Sequence, residues 1–341
     1  MSKQIEIRIE KYFLPDGKSI NITLTGHVYG KPLGKAPVVL INHALTGNSQ
    51  VAGESGWWKS LIGVDRTIDL NAFTVIAFNI PGNALDPHSH SILPLYKSFT
   101  TKIIGDLFWK GLECLNIHRL YAIVGGSLGG GIAWEMAFLK PLCIDHLIPI
   151  ACSPTSSDWL IANVLVQENI LNHSDNPIQD ARMHAMLMYR TPESIHNKFR
   201  FRFNRNENQY MVESWLRYHG DALKNRFGLQ SYKLMNHLLK TIGEDQTWNQ
   251  MLEFAGLCNI KIHIVAIDTD YLFTLKEQWE TYKLLRRRKK DIYFYKINSI
   301  HGHDAFLMEY EQLNHFLNPI FKRDSNEKCN KINTTYEVDS I

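Results

Sequence analysis

The chain has 341 residues, 45% of them hydrophobic, and a formal net charge of only +3. That length and apolar content bury one large core, and the near-neutral balance argues against a protein built to coat nucleic acid. No apolar run approaches the ~20 residues that span a bilayer. Five scattered cysteines, an odd number, suggest neither a disulfide framework nor a Cys-x-x-Cys metal site, and their expected state is the reduced thiol of a cytoplasmic protein.

Taken in chain order, the first segment alternates polar and apolar residues like an edge strand and lacks the apolar core of a signal peptide. Ile5 to Tyr12 and Ile20 to Tyr29 read as an antiparallel pair. Strand candidates near Val38, Phe73, Leu120 and His146 then alternate with helical stretches such as Phe99 to Leu115, the pattern of a mostly parallel α/β sheet. From Ser153 to Thr247 strand signals give way to helical periodicity, in Met183 to Met188 and Leu234 to Leu239 for instance, which reads as an inserted helical lid. The buried-strand patterns return at Ile260 to Ile267 and Ile292 to Ile297. The expected division is core 1–152, lid 153–247, core 248–322 and, from its Lys, Asn, Asp and Ser content, a disordered tail 323–341.

The chemistry concentrates at Gly125-Gly126-Ser127-Leu128-Gly129. It follows the apolar run Leu120 to Val124 and opens the helical Gly130-Gly131-Ile132-Ala133-Trp134-Glu135. Strand, sharp turn and helix make a nucleophile elbow, in which the flanking residues must be small because a Cβ would meet the adjacent strand or helix. A serine is a weak nucleophile alone, so an acid and then a histidine are expected downstream. Asp270 follows the strand ending at Ile267, and His303 lies in the loop after Ile297. His303 would take and return the Ser127 proton, while Asp270 fixes the imidazole. The oxyanion hole would use the amide of Leu128 and, from the loop His43-Ala44-Leu45-Thr46-Gly47 after an earlier strand, that of Leu45.

His43-Ala44-Leu45-Thr46-Gly47, Gly56-Trp57-Trp58, the elbow and Gly302-His303-Asp304-Ala305-Phe306-Leu307 resemble the homoserine O-acetyltransferases of the α/β-hydrolase superfamily. In the lid, Asp180-Ala181-Arg182, Tyr189-Arg190-Thr191-Pro192-Glu193 and Trp215 to Gly220 followed by Arg226-Phe227 and Ser231-Tyr232 extend the likeness, which covers Pro37 to Phe321. The resemblance implies an α/β-hydrolase fold and acetyl transfer from acetyl-CoA, a co-substrate rather than a resident cofactor, through acetyl-Ser127 to the side-chain hydroxyl of L-homoserine, a step toward methionine. It further implies that Arg226 holds the substrate carboxylate and that Tyr232 and Asp304 position the amino acid. The apolar stripe of the lid is read first as packing, with a homodimer through the lid expected to account for part of it. Excluding water from the acyl-serine calls for a narrow tunnel beneath that lid. Two segments depart from the family pattern. Asn79 to His88 replaces a longer glycine-rich loop ending Gly-Ser-Thr-Gly-Pro, and Gly228-Leu229-Gln230 stands where Asp-Ala-Asn is usual. The residues leave open transfer to serine, a succinyl-CoA donor, and ester or thioester hydrolysis by the same triad.

Other features have plainer readings. His301 with His303, and His88 with His90, lack a third ligand at metal spacing, so no metal is expected. Arg286-Arg287-Arg288-Lys289-Lys290 reads as a solvated helix end. Phe199 to Arg205 interleaves aromatics with cations, but without a nucleic-acid motif; its arginines are candidates for the CoA phosphates.

Overall fold

A computed structural model describes residues 2–322. The expected tail 323–341, with Cys329, lies outside the described residues. Eight strands form the main sheet: β1 (Lys3–Phe13), β2 (Ser19–Gly30), β3 (Val38–Asn42), β4 (Thr74–Phe78), β5 (Leu120–Gly126), β6 (Ile144–Ile150), β7 (Lys261–Ile267) and β8 (Ile292–Ile297), in the order β1-β2-β4-β3-β5-β6-β7-β8. The pairings β1/β2 and β2/β4 are antiparallel, and those from β4 to β8 are parallel. This is the α/β sheet the sequence calls for.

The central strands show why the pattern was readable. All five residues of β3 and of β4 are buried, because helices and loops cover both faces, and such strands become continuous apolar runs. Alternate side chains feed two cores. Leu40, Ile123 and Leu147 join one with helices α1 (Thr101–Cys114) and α2 (Leu128–Leu139), whereas Val39, Ile41, Val124 and Ile148 join another with Trp58 and Leu61. The last helix of the described residues, Tyr310–Phe321, closes that second core through Leu313 and Leu317.

Between β6 and β7 come α3 (Asp158–His173), α4 (Pro177–Tyr189), α5 (Pro192–Phe199), α6 (Met211–Lys224), α7 (Leu229–Lys240) and α8 (Trp248–Leu257). Their starts follow local chemistry: Ser157 and Thr191 side chains accept the amides of Leu160 and Ser194, and proline occupies the first turn of α4 and α5. On α3 the buried positions are Leu160, Val164, Gln167 and Leu171, one stripe facing inward. The segment is not wholly helical, since Phe203–Asn204 and Gln209–Tyr210 pair as a small antiparallel ribbon. The basic run after α9 (Leu275–Arg286) is likewise not all solvated. Lys289 is buried, and its ammonium donates to the Cys258 carbonyl at 2.7 Å, a charge-assisted bond that offsets its desolvation.

Candidate active site

Strand β5 ends at Gly126 and α2 begins at Leu128, leaving Ser127 alone on the turn at φ 55°, ψ −125°. An L-residue adopts that conformation only under constraint. The constraint is visible in the neighbours. A Cβ on Gly125 would lie 2.2 Å from the Gly129 oxygen, and one on Gly129 would lie 2.3 Å from the Asn42 oxygen, so helix, turn and strand approach as closely as backbones can. Asn42 pairs with Gly125 across the sheet, which brings the loop following β3 against the elbow. The α2 N-terminus adds its partial positive charge at the nucleophile.

The acid and base arrive from the next two strand ends. Asp270 lies three residues beyond β7, where its Oδ1 accepts the amides of Leu272 at 2.7 Å and Phe273 at 3.0 Å. His303 sits on a 3₁₀ turn, Gly302–Leu307, after β8. Thr269 splices the two loops: its hydroxyl donates to the Ser299 carbonyl at 2.6 Å and accepts the Gly302 amide at 3.1 Å. The result is a continuous chain, with His303 Nε2 2.8 Å from Ser127 Oγ and His303 Nδ1 2.7 Å from Asp270 Oδ2. All three residues are buried. Asp270 can only accept, so Nδ1 carries the proton and Nε2 is free to take one from the serine. Burial pulls the imidazole pKa down, but the charge and hydrogen bond of Asp270, with Asp304 beyond, hold it above the usual histidine value. Phe273, Tyr189 and Phe306 rings lie 5.6 to 5.8 Å from that of His303 and fence it from solvent.

The loop carrying Leu45 is held by a histidine to which the sequence reading gave no role. Ile80 donates its amide to His43 Nε2 at 3.0 Å, so Nε2 must accept and Nδ1–H donates to the Ala44 carbonyl at 2.8 Å. Burial lowers its pKa to about 4, so the ring stays neutral. Neither the Leu45 nor the Leu128 amide donates a hydrogen bond within the described residues, as an oxyanion hole requires. The segment from Asn79 is held by the core and touches the lid at Gly82: Asn79 Oδ1 accepts the Ser49 amide at 2.9 Å, Asp86 Oδ2 accepts that of Gly82 at 2.8 Å, and a Cβ on Gly82 would lie 2.5 Å from Leu234 Cδ2.

Leu45, Tyr189, Tyr232, Asn236 and Leu272 are among the residues around a cavity of about 20 Å³ beneath the lid, room for about one water. Tyr232 is buried there, and burial, with Tyr189 nearby, raises its pKa. Arg226 donates through Nη1 to the Thr46 carbonyl at 3.0 Å, leaning on the oxyanion loop rather than on the triad, and desolvation, then Arg182, lower its pKa. Asp304 is part-buried beside the triad with Arg190 Nη1 3.9 Å from its Oδ2. Burial pushes the Asp304 carboxyl up, while His303, Arg182 and Arg190 pull it down. The Arg182 guanidinium also stands 5.5 Å over the Tyr189 ring. Tyr189 and Arg182 line the triad's surroundings and Arg190 stands behind Asp304; their signal was present in the lid motifs that contain them. Of the paired histidines, His301 serves Arg190 and Ser194, and His88 faces Glu6 at 2.9 Å. Among the described residues no group of three or more His, Cys, Asp or Glu side chains is placed to hold a metal.

The sequence matches the α/β-hydrolase fold family over residues 37–307. It is 30% identical to the homoserine O-acetyltransferase of Methanococcus vannielii, over 96% of this chain and 75% of that protein. The chain belongs to the homoserine O-acetyltransferase family. A homoserine O-succinyltransferase of Leptothrix cholodnii is 28% identical over 89% of this chain and 92% of its own. Two solved structures, a homoserine O-acetyltransferase from Bacillus anthracis and an esterase, each superpose with a TM-score of 0.83 at 19% identity, covering 95% and 94% of this chain and 98% and 100% of theirs. At that identity they speak for the fold alone, which a transferase and an esterase here share. Among the described residues, no helix is long and apolar enough to cross a membrane.

Proposed function

We propose that the protein transfers the acetyl group of acetyl-CoA to the side-chain hydroxyl of L-homoserine through an acetyl-serine, giving O-acetyl-L-homoserine for methionine synthesis. The observation that carries the reading is the buried Ser127–His303–Asp270 chain at 2.8 and 2.7 Å, in a member of this family. Ser127 Oγ attacks the thioester carbonyl while His303 Nε2 takes its proton. The Leu128 and Leu45 amides receive the negative oxygen, and the C–S bond breaks as His303 returns the proton to the CoA sulfur. His303 then deprotonates the homoserine hydroxyl, which attacks the acetyl-serine carbonyl, and Ser127 leaves with the proton.

In this reading Arg226 offers bidentate geometry to the acceptor carboxylate, Asp304 takes the ammonium, and Tyr232 bounds the pocket beside them. The aromatic fence and lid keep water from the acyl-serine. The lid also exposes Trp159, Leu165, Val166 and Leu187, an apolar surface that supports pairing of two copies through it; a single-chain mass in solution would overturn that. Four free thiols among the described residues support a cytoplasmic setting.

The decisive experiment incubates purified protein with acetyl-CoA or succinyl-CoA, with and without L-homoserine or L-serine, and follows thiol release and product mass. Thiol release from acetyl-CoA that depends on L-homoserine, with O-acetylhomoserine formed, is expected. Steady release without an amino acid, giving acetate, would make the protein a hydrolase, and preference for succinyl-CoA would reassign the donor.

A further inference from the structure

The junction between α4 and α5 grips the loop that carries the catalytic histidine. Thr191 donates its hydroxyl to the Ile300 carbonyl, and the left-handed Gly302, φ 67°, passes so close that a Cβ would lie 2.7 Å from the Tyr189 oxygen. At the centre is Arg190, whose side chain is only 12% exposed. Its Nε and Nη2 donate to Ser194 Oγ at 3.1 and 2.7 Å, Nη2 also reaches His301 Nδ1 at 3.1 Å, and Nη1 reaches Met308 Sδ at 3.4 Å. Ser194 Oγ is 3.0 Å from the same His301 nitrogen. An arginine can only donate, so His301 accepts through Nδ1 and stands neutral; burial, then Arg190, keep its pKa below the usual value, against Glu309 and Asp304.

This set of bonds fixes the guanidinium on three sides and leaves Nη1 facing Asp304 Oδ2 at 3.9 Å. That distance is long for a direct hydrogen bond and short for a charge interaction across a site half closed to water. We propose that Arg190 is a positioning residue for the second half of the reaction: anchored by Ser194 and His301, it sets the place and charge of the Asp304 carboxylate, which receives the ammonium of the acceptor amino acid. The assignment rests on the acyl-transfer reading above. Arg190 touches neither Ser127 nor the thioester, so it reaches formation of the acyl-enzyme only through the weaker influence of Asp304 on His303. Asp304 without the cation 3.9 Å away would be shifted, drawn toward Arg182, and harder to ionise; His303 feels Asp304 only after Asp270, so an acceptor bearing an amino group would sense the change most.

The test separates the two half-reactions in the full chain. Arg190→Gln is compared with wild type in the burst of thiol released from acetyl-CoA, then in transfer to L-homoserine and to 4-hydroxybutyrate, the same skeleton without the amino group. Expected is a burst rate within about twofold of wild type, and a KM for L-homoserine raised about tenfold or more, the scale of one charge-assisted contact. Activity with 4-hydroxybutyrate should change little. Arg190→Lys keeps the charge and should recover part of the L-homoserine KM, while Ser194→Ala, which keeps the guanidinium and removes one anchor, should move it in the same direction by less. Equal losses with both acceptors, or a burst slowed as much as transfer, would mean that Arg190 merely holds the lid down and would overturn the assignment. Should Arg190→Gln fold poorly, the Ser194→Ala and Arg190→Lys pair decides on the same criterion. Wild-type protein that releases thiol yet transfers to neither acceptor would overturn the acyl-transfer reading itself, a result distinguishable from the others.

Discussion

Replacing Asp270 with asparagine tests the proton inventory of the site, because the structure dictates which way the new amide points. Asp270 Oδ1 accepts two backbone amides, Leu272 at 2.7 Å and Phe273 at 3.0 Å, and Oδ2 accepts His303 Nδ1–H at 2.7 Å. If the asparagine NH₂ faced Leu272 and Phe273, donors would meet donors and two buried amides would lose their partner, at about 1–3 kcal/mol each. The carbonyl therefore stays on the backbone amides, and the NH₂ turns to His303. Nδ1 then has to accept, the ring proton moves to Nε2, and the nitrogen facing Ser127 Oγ at 2.8 Å can no longer take a proton. A wrong tautomer in a triad of this kind costs about 10⁴-fold in turnover, or about 5 kcal/mol of transition-state stabilisation, with little change in fold. Burst kinetics with acetyl-CoA measure acylation directly, and a pH series adds an independent check. The loss of Asp270 removes the chief influence that holds the His303 pKa up against burial, so the acidic limb of the acylation profile should move to lower pH. Acylation within about tenfold of wild type, with an unmoved acidic limb, would refute the assignment of Asp270 as the residue that sets the tautomer.

Two further outcomes follow from contacts at the elbow helix. Gly129→Ala would put a Cβ 2.3 Å from the Asn42 oxygen and 2.7 Å from that of His43, so α2 and the oxyanion loop must separate. The expectation is a loss of about 10² to 10³ in turnover, as when one oxyanion donor is removed, with about 1–3 kcal/mol of strain; wild-type activity at an unchanged melting temperature would contradict it. Glu135, buried on α2, accepts the Gly243 amide at 2.9 Å and faces the Thr101 hydroxyl at 3.2 Å, and burial raises its pKa from 4.5 to about 7. The folded state therefore keeps a proton that the unfolded chain releases, so this group's stabilisation is full below pH 4.5 and is lost as pH rises toward 7, by about 3 kcal/mol. Glu135→Gln should flatten that part of the melting profile, and parallel wild-type and variant profiles from pH 4.5 to 8 would count against the assignment.

The sequence exposed the parts of this molecule whose causes are local. Strands β3 and β4 are covered on both faces and written as nearly unbroken apolar runs, and β5 to β7 become apolar toward the ends that carry the site, after polar residues such as Asp145, His146 and Lys261. The elbow needs glycine where backbones touch, so its chemistry is spelled in five consecutive residues. Asp270 reads as the acid from its place at the end of a buried strand; its neighbour Asp268 has a different task in the fold, accepting the Ser299 amide at 3.0 Å. What stayed hidden depends on distant partners. Lys289 is buried because a carbonyl 31 residues earlier receives it, and no run of basic residues announces that. The ribbon at Phe203 has two residues per strand, too few for an alternation to register.

Arg190 is the sharpest case, since His301, its partner, lies 111 residues away on another strand end, and either residue alone reads as an ordinary polar side chain. The same separation explains its value. The triad residues themselves come from the sheet, on the ends of β5, β7 and β8, while the lid braces the histidine loop through Tyr189, Arg190 and Thr191. The remaining candidate groups are divided: the Leu45 amide of the oxyanion hole and Asp304 come from the core, and Arg226 and Tyr232 from the helices that cover it. Acetylating a serine needs only the first set, whereas choosing an amino acid over water needs both in register. The contacts that fix this register, Arg190 to the histidine loop and Arg226 to the Thr46 carbonyl at 3.0 Å, are therefore where a transferase and an esterase on one fold should diverge.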